Sequence, residues 1–361
     1  MSASTISTGS SEEPAHAGDS PNPLHNFSQQ RSILRKELFK PLSVGSLHRI
    51  ADLFGAERTS FREIARRDNI VIEAARRAHP IILRISHGAR RTPDQVEAEI
   101  AWINTLLAEK VSVCQPLLSL QNRFVETIQA EDVTLSIAAF DKLPGQSPTR
   151  ADWNTQLFEM WGNLLGCLHA SAACHSTNSP KIGRPEWHQE SNFALRALIP
   201  PRQKDFLREA ENLIQEVRRF PVDNSVYGLT HGDFHQENIH LDNGRLTAFD
   251  FDDVQYSWFV SDIAITLYYA CWKRPEGQSI EDYIQTFLSF FLTGYRQKMD
   301  ISSASVELIP KLLKLRHVFM YANHYRTWDF NKINEQQRIG IKQHREGIGA
   351  YPNFEIDFSG M

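Results

Sequence analysis

The sequence predicts an α+β chain in two lobes: a small antiparallel sheet with one main helix, then a larger, mostly helical part. Three observations predict it. Short β-branched runs crowd the first third, at Asn69–Glu73, Pro80–Ile85, Phe124–Thr127 and Val133–Phe140. The punctuated segment Lys142-Leu143-Pro144-Gly145 follows them, and Pro and Gly break regular structure. Beyond it, apolar residues recur at helical spacing, as in Leu157, Trp161, Leu164, Leu165 and Leu168.

Taken in order, residues 1–44 are expected to be a poorly ordered tail. Their first stretch is rich in Ser, Pro, Gly and Glu and holds too little apolar surface to offset ordering entropy. It also lacks the charged and apolar regions of a secretory signal. The first lobe spans 45–141 and opens with a short helix over Leu47–Phe54. Residues 61–69 read as a glycine-free loop carrying Arg66 and Arg67. A helix is predicted from about Asp94 to Glu109, with Val96, Ile100, Ile103, Leu106 and Leu107 on one face and Thr92 as its cap. The second lobe spans 142–361, with further helices over 206–220, 280–295 and 309–325. Trp258 to Trp272 is apolar but short and interrupted by Ser261 and Asp262, so it reads as a buried helix and not a membrane span. Between these helices a β segment from Gly228 to Phe251 is broken by Asp242-Asn243-Gly244, a strong hairpin signal.

Composition narrows the function. The chain of 361 residues carries a net charge of -4, which supplies no global basic field for nucleic acid or an acidic membrane. Its four cysteines, Cys114, Cys167, Cys174 and Cys271, show no scaffold spacing and read as reduced thiols in a cytoplasmic protein. Cys167 and His169 lie two apart in a helical stretch, on different faces, which argues against a zinc site. No Gly-x-x-x-x-Gly-Lys-Ser/Thr or Gly-x-Ser-x-Gly occurs, so P-loop and serine-hydrolase chemistry have no anchor.

The chemistry lies in His231-Gly232-Asp233-Phe234-His235-Gln236-Glu237-Asn238 and in Phe249-Asp250-Phe251-Asp252-Asp253. Phosphoryl transfer to a hydroxyl needs a carboxylate to orient the acceptor, hard oxygen ligands for magnesium and a cation for the phosphates. Asp233 and Asn238 stand five positions apart, the spacing of a kinase catalytic loop, and Asp250 opens an Asp-Phe triplet a hairpin later. Each residue alone is weak evidence, since Asp and Asn are common in turns. In this order, around a hairpin, they form a specific pattern.

That pattern resembles the aminoglycoside phosphotransferase-like family of small-molecule kinases, whose signature is His-Gly-Asp-x-His-x-x-Asn followed by Ile-Asp-Phe-Gly/Asp-Asp. Choline, homoserine, hydroxylysine and methylthioribose kinases and some atypical protein kinases share it. Phe249 stands where the family carries an aliphatic residue. The similarity runs from about residue 45 onward and recurs at Leu83-Arg84-Ile85, Glu99-Ile100-Ala101-Trp102 and Leu143-Pro144-Gly145.

The resemblance implies a bilobal protein-kinase-like fold that uses ATP and magnesium to phosphorylate a small-molecule hydroxyl. It implies Asp233 as base, and Asn238 and Asp250 as magnesium ligands. His235, where protein kinases place a phosphate-contacting lysine, is implied at the phosphates, and Asp262 as a brace for the loop. Arg84 stands at the kinase lysine's position with Glu99 as its partner, and Asp141 and Leu143 at the lobe boundary complete the nucleotide-binding set. Arginine is a planar fork where lysine is a point charge, so this exchange is not neutral. Trp187, Trp258, Tyr295, Arg316, Tyr321, His324 and Trp328 fall in the acceptor lobe. Arg316 and His324 would favour an anionic acceptor, whereas Asp252, Asp253 and Asp329 would favour an amine. Two further readings share the site. A Ser/Thr protein kinase is disfavoured by the lack of an Ala-Pro-Glu activation segment. A nucleotide-binding scaffold fits the glycine-free loop and Arg84, but not the intact Asp233, Asn238 and Asp250. The acceptor's identity and the oligomeric state stay open at this point.

Overall fold

The computed structural model describes residues 42–176 and 182–350; the expected tail lies almost wholly outside them. Helix α1 (Val44–Phe54) starts at an N-cap whose Ser43 hydroxyl accepts from Ser46 N, and ends at Gly55 in the left-handed region. Strands β1 (Arg62–Arg66), β2 (Asn69–Arg76) and β3 (His79–His87) form a meander. Helix α2 (Pro93–Ala108) carries the predicted Thr92 cap as a full capping box with Gln95. Strands β4 (Pro116–Leu117), β5 (Val125–Ala130) and β6 (Val133–Asp141) complete an antiparallel sheet in which β6 joins β3 to β5 and β4.

Strand alternation explains how this sheet serves two cores. Ile70, Ile72, Leu83, Ile85, Ile137 and Ala139 share one face and pack with Ile50 and Phe54 of α1. The other face carries Ala138 and Phe140, which join Val96, Ile100, Ile103 and Leu106 of α2 in the core that continues into the helical lobe. Arg84, paired in register with Ala138, stands on that second face.

Beyond β6 the chain is mostly helical: α3 (Thr155–Ser176), α4 (Leu195–Leu198), α5 (Lys204–Val217), α6 (Phe259–Ala270), α7 (Ile280–Arg296), α8 (Ser303–Val306), α9 (Ile309–Thr327) and α10 (Glu335–Ala350). Nearly all of α6 is buried, Asp262 and Thr266 included. No helix among the described residues is long and apolar enough to cross a membrane. Two short ribbons interrupt the helices. Strand β7 (Tyr227–Thr230) pairs with β10 (Gln255–Trp258), and β8 (Ile239–Asp242) pairs with β9 (Arg245–Ala248). The β8–β9 turn is the predicted Asn-Gly turn, with φ of 46° at Asn243 and 77° at Gly244, as a type I′ hairpin demands.

The sequence reading differs in places. Residues 62–66 are a strand, not part of a loop. The helix expected at 206–220 covers 204–217. Strand β10 and helix α10 were not anticipated.

Helices α3 and α7 pack with backbones nearly touching. A Cβ built on Gly162 would lie 1.8 Å from Phe291 O, and one on Gly294 would lie 1.8 Å from Glu159 O. Helix propensity alone predicts that alanine stabilises either site by about 1 kcal/mol. Overpacking against backbone reverses that sign. We expect Gly162→Ala and Gly294→Ala each to lose about 2 kcal/mol or more, measured as a lowered midpoint in urea.

Candidate active site

The site is assembled by the ribbon of β7 and β10. Their pairing, Thr230 opposite Gln255 through Tyr227 opposite Trp258, fixes both ends of an excursion that contains the β8–β9 hairpin. Residues 231–238 leave β7 and residues 249–253 return to β10, so the two halves of the motif meet. At the start of the loop, Asp262 Oδ2 accepts from His231 N at 2.6 Å and Oδ1 from Gly232 N at 2.9 Å. Gly232 has a φ of 80°, and a Cβ there would come within 2.1 Å of Asp253 O. Only glycine meets both demands.

Asp233 emerges from this loop and is gripped at both oxygens. Oδ1 pairs with Arg316 of α9, and Oδ2 lies 3.2 Å from His235 Nε2. His235 Nδ1 accepts from Glu237 N at 3.1 Å, which puts a neutral ring's proton on Nε2, facing the carboxylate. Burial pushes the Asp233 carboxyl up, but His235 and Arg316 outweigh it and hold it well below the usual carboxylate range. Arg316 is itself fixed, donating to Tyr269 OH at 2.8 Å and stacking between the Tyr269 and Phe319 rings at 5.1 and 4.6 Å.

Asn238 follows from the same loop. Its Nδ2 donates to Asp233 O at 2.9 Å, which leaves its side-chain oxygen as the end available to a ligand. Its backbone carbonyl accepts from Phe249 N at 3.0 Å, tying it to the residue before Asp250. Asp250 adopts the left-handed region, with φ of 61°, and presents half of its side-chain surface to the cleft. Burial beside Asp252 and Asp253 pushes its carboxyl up to about 7; the half that meets water moderates this. A bound cation would remove the repulsion.

From the sheet, Arg84 forms a buried fork-to-fork pair with Glu99 of α2, both bonds 2.7 Å. Its Nη1 lies 4.0 Å from Asp250 Oδ1, so the expected phosphate cation and the expected metal carboxylate adjoin. Asp141, exposed at the end of β6, and Leu143, half-buried after it, line the same cleft at the lobe junction. The cleft encloses ≈ 2180 Å³, against roughly 300–1,000 Å³ for a pocket that holds one small molecule. It has room for a nucleotide and an acceptor together.

A magnesium ion fits these residues. One carboxylate and one amide oxygen are hard donors, and magnesium typically takes few protein ligands beside phosphate oxygens. Among the described residues no group of three or more His, Cys, Asp or Glu side chains could hold a metal by itself, consistent with a site completed by the nucleotide. His169 faces Asp262 at 3.2 Å and Tyr295 OH at 2.9 Å, so the lobe's own side chains occupy the histidine of the Cys167–His169 stretch.

Several assignments change with the geometry. Asp252 and Asp253, read as free negative charge, are taken by the chain's own arginines. Arg90 contacts both, Arg91 reaches Asp253 at 3.0 Å, and Arg184 bonds the Asp252 carbonyl at 2.5 Å. Burial pushes Asp252 up, but Arg90, Arg84, Arg91 and Arg184 pull it far below the usual range. Arg316 is bound to Asp233 and is not a free cation for an anionic acceptor. Trp187, Trp258, Tyr295 and Tyr321 are core, whereas His324 and Trp328 line the cleft. Arg66 pairs with Glu63, and both Arg66 and Arg67 line the cleft. The sequence offered no signal for Tyr269, Arg90, Arg91 or Arg184, whose partners lie far along the chain.

Comparison with known proteins agrees with this geometry. Residues 60–299 match the phosphotransferase enzyme family. The amicoumacin kinase of Bacillus subtilis (strain 168) is 32% identical over 312 residues, covering 85% of this chain and 93% of that protein. Among solved structures, an amicoumacin kinase, hAmiN, in complex with AMP-PNP, Ca2+ and Ami superposes with a TM-score of 0.82 at 29% identity, over 93% of this chain and 99% of that one. A microcompartment-associated aminopropanol kinase shares the fold, with a TM-score of 0.67 at 19% identity, over 84% of this chain and 94% of that one. The bilobal protein-kinase-like architecture expected from the sequence is the one the chain has. It belongs to the phosphotransferase enzyme family, as a small-molecule kinase.

Proposed function

We propose that this enzyme transfers the γ-phosphate of ATP, with magnesium, to a hydroxyl of amicoumacin or a closely similar small molecule. The observation that carries the reading is the convergence of Asp233, Asn238 and Asp250 with the Arg84–Glu99 pair on one two-substrate cleft. The similarity to amicoumacin kinases over most of both chains supports the choice of acceptor. The sheet lobe, 45–141, holds the nucleotide through Arg84, Glu99, Asp141 and Leu143; the lobe from 142 onward holds the acceptor. The ATP donor fits a cytoplasmic enzyme.

In this mechanism Asn238 and Asp250 would hold magnesium, which when bound would supply positive charge to offset that of the phosphates. Arg84, locked by Glu99, faces the phosphates. Asp233 accepts a hydrogen bond from the acceptor hydroxyl and aims its oxygen at the γ-phosphorus. A carboxyl held so far below its usual range stays charged at neutral pH, so orientation is its first task. As the new O–P bond forms and the β–γ bridging bond breaks, the hydroxyl proton passes to Asp233 and ADP leaves. His235 and Arg316 keep the carboxylate from turning away.

The direct test is transfer of phosphate from ATP to amicoumacin by the purified chain. Nucleotide binding without transfer to amicoumacin would overturn the acceptor assignment. Asp233→Asn is expected to lower kcat by about 10²–10⁴-fold with little change in nucleotide affinity; kcat near wild type would remove Asp233 from that role. Asp250→Asn should weaken the magnesium requirement's midpoint by roughly 10–100-fold or more, read from rate against magnesium concentration. Because metal binding needs an ionised Asp250, a proton competes with it. Magnesium-dependent AMP-PNP affinity should therefore fall as pH drops below about 7, by up to about tenfold per unit, measured by calorimetry. A flat profile would show that Asp250 does not titrate with the metal.

A further inference from the structure

The hairpin of β1 and β2 has no glycine in its turn, yet it borders the cleft on the nucleotide side. Its tip residue, Asp68, does not face solvent alone. Asp68 Oδ1 and Oδ2 accept from Arg326 Nη1 and Nη2 at 2.8 and 2.7 Å, a planar two-bond pair between residues 258 positions apart. The pair is mostly shielded, at 31% exposure for Asp68 and 19% for Arg326. Arg326 is oriented in turn by Asn323, whose Oδ1 accepts from its Nε at 3.2 Å and Nη2 at 2.8 Å. Arg90 approaches the same Asp68 carboxylate at 3.7 Å while holding Asp252 and Asp253.

The position of Arg326 gives this contact meaning. It lies in the last turn of α9, the helix that presents Arg316 to Asp233 and Phe319, Met320, Asn323 and His324 to the cleft. The contact thus joins the tip of the nucleotide-side hairpin to the wall of the acceptor side. The β1–β2 turn has no glycine to ease close approach of bare backbone to a phosphate, and the Asp68–Arg326 pair holds its tip in place. We infer that Asp68 and Arg326 are positioning residues forming a latch that couples the nucleotide site to the acceptor site. This rests on the proposed function, since it requires both substrates to share the cleft. With the latch formed, an acceptor that steadies α9 holds the hairpin down on the nucleotide, and the nucleotide returns the effect, since linkage between two sites is reciprocal. Bidentate geometry is what makes the pair directional; a single-point contact would let the hairpin swing.

The test uses the full chain and its Asp68→Ala, Arg326→Ala and double variants. The dissociation constant of magnesium AMP-PNP is measured with and without amicoumacin, beside the thermal midpoint of each protein. The wild-type chain is expected to bind AMP-PNP about 5–150-fold tighter with the acceptor present. In either single variant that factor should collapse toward one, and the double variant should be no worse than the singles, because each removes the same bridge. Asp68→Glu, which keeps the carboxylate, should restore part of the coupling. A variant that only lowers the thermal midpoint while keeping the coupling factor would overturn the latch, as would a wild-type chain that binds both ligands without coupling. A wild-type chain that binds no AMP-PNP would instead overturn the proposed function.

Discussion

Two backbone N–H groups, those of His231 and Gly232, end on a carboxylate sealed from water. Asp262 sits in the first turn of α6 with no exposed surface, and it accepts both bonds. A buried carboxylate is costly unless its charge is met. Here the two amides, the His169 ring and the positive end of α6 meet it. Together with the β7–β10 pairing, these bonds fix where the loop leaves β7. If those amides turned, Asp233 would leave Arg316, Asn238 would lose the Asp233 carbonyl, and the link from Asn238 to Phe249 would no longer place Asp250. Thr266 of the same helix bonds the Phe234 carbonyl at 2.7 Å, so one helix end dictates the path of the whole loop.

Around that frame the cleft is a mosaic of arginine and carboxylate pairs. Arg84 is matched to Glu99, Arg316 to Asp233, Arg90 and Arg91 to Asp252 and Asp253, and Arg326 to Asp68. Each arginine draws a carboxylate from a distant part of the chain into a fixed pose. Asp250 is the member without a close cation: its nearest arginine nitrogen is 4.0 Å away. A divalent ion beside Asp250 would meet charge that the arginines leave unmatched.

Much of this was legible in the sequence, for reasons that can be named. Thr92 three residues before Gln95 is a local capping pattern, and Asn243-Gly244 is a local turn; both are decided within a few residues. Asp233, Asn238 and Asp250 were legible as an ordered pattern around a hairpin, and all three line one cleft. Strand β1 escaped because Arg62–Arg66 is a charged edge strand, nearly all exposed, and carries no apolar alternation. Helix α10 escaped for a similar reason, its Gln-, Arg- and Gly-containing sequence lacking a clear apolar stripe. The pairing of Arg90 with Asp252 spans 162 positions, and no periodicity reports a contact of that kind. Arg316 shows the limit best. Its charge was visible, but the partner that uses it was not, so its role changed from reading the acceptor to holding Asp233.

Helix α9 carries Arg316 and Arg326 ten positions apart, about 15 Å along a straight helix at 1.5 Å per residue. It acts as a ruler with one mark on Asp233 and another on Asp68. Inserting or deleting a single residue between the marks would turn one by about 100° relative to the other. Among related genes, this ten-residue interval should keep its length while the surrounding connections vary. Its identity as a spacer should outlast the identity of the residues within it.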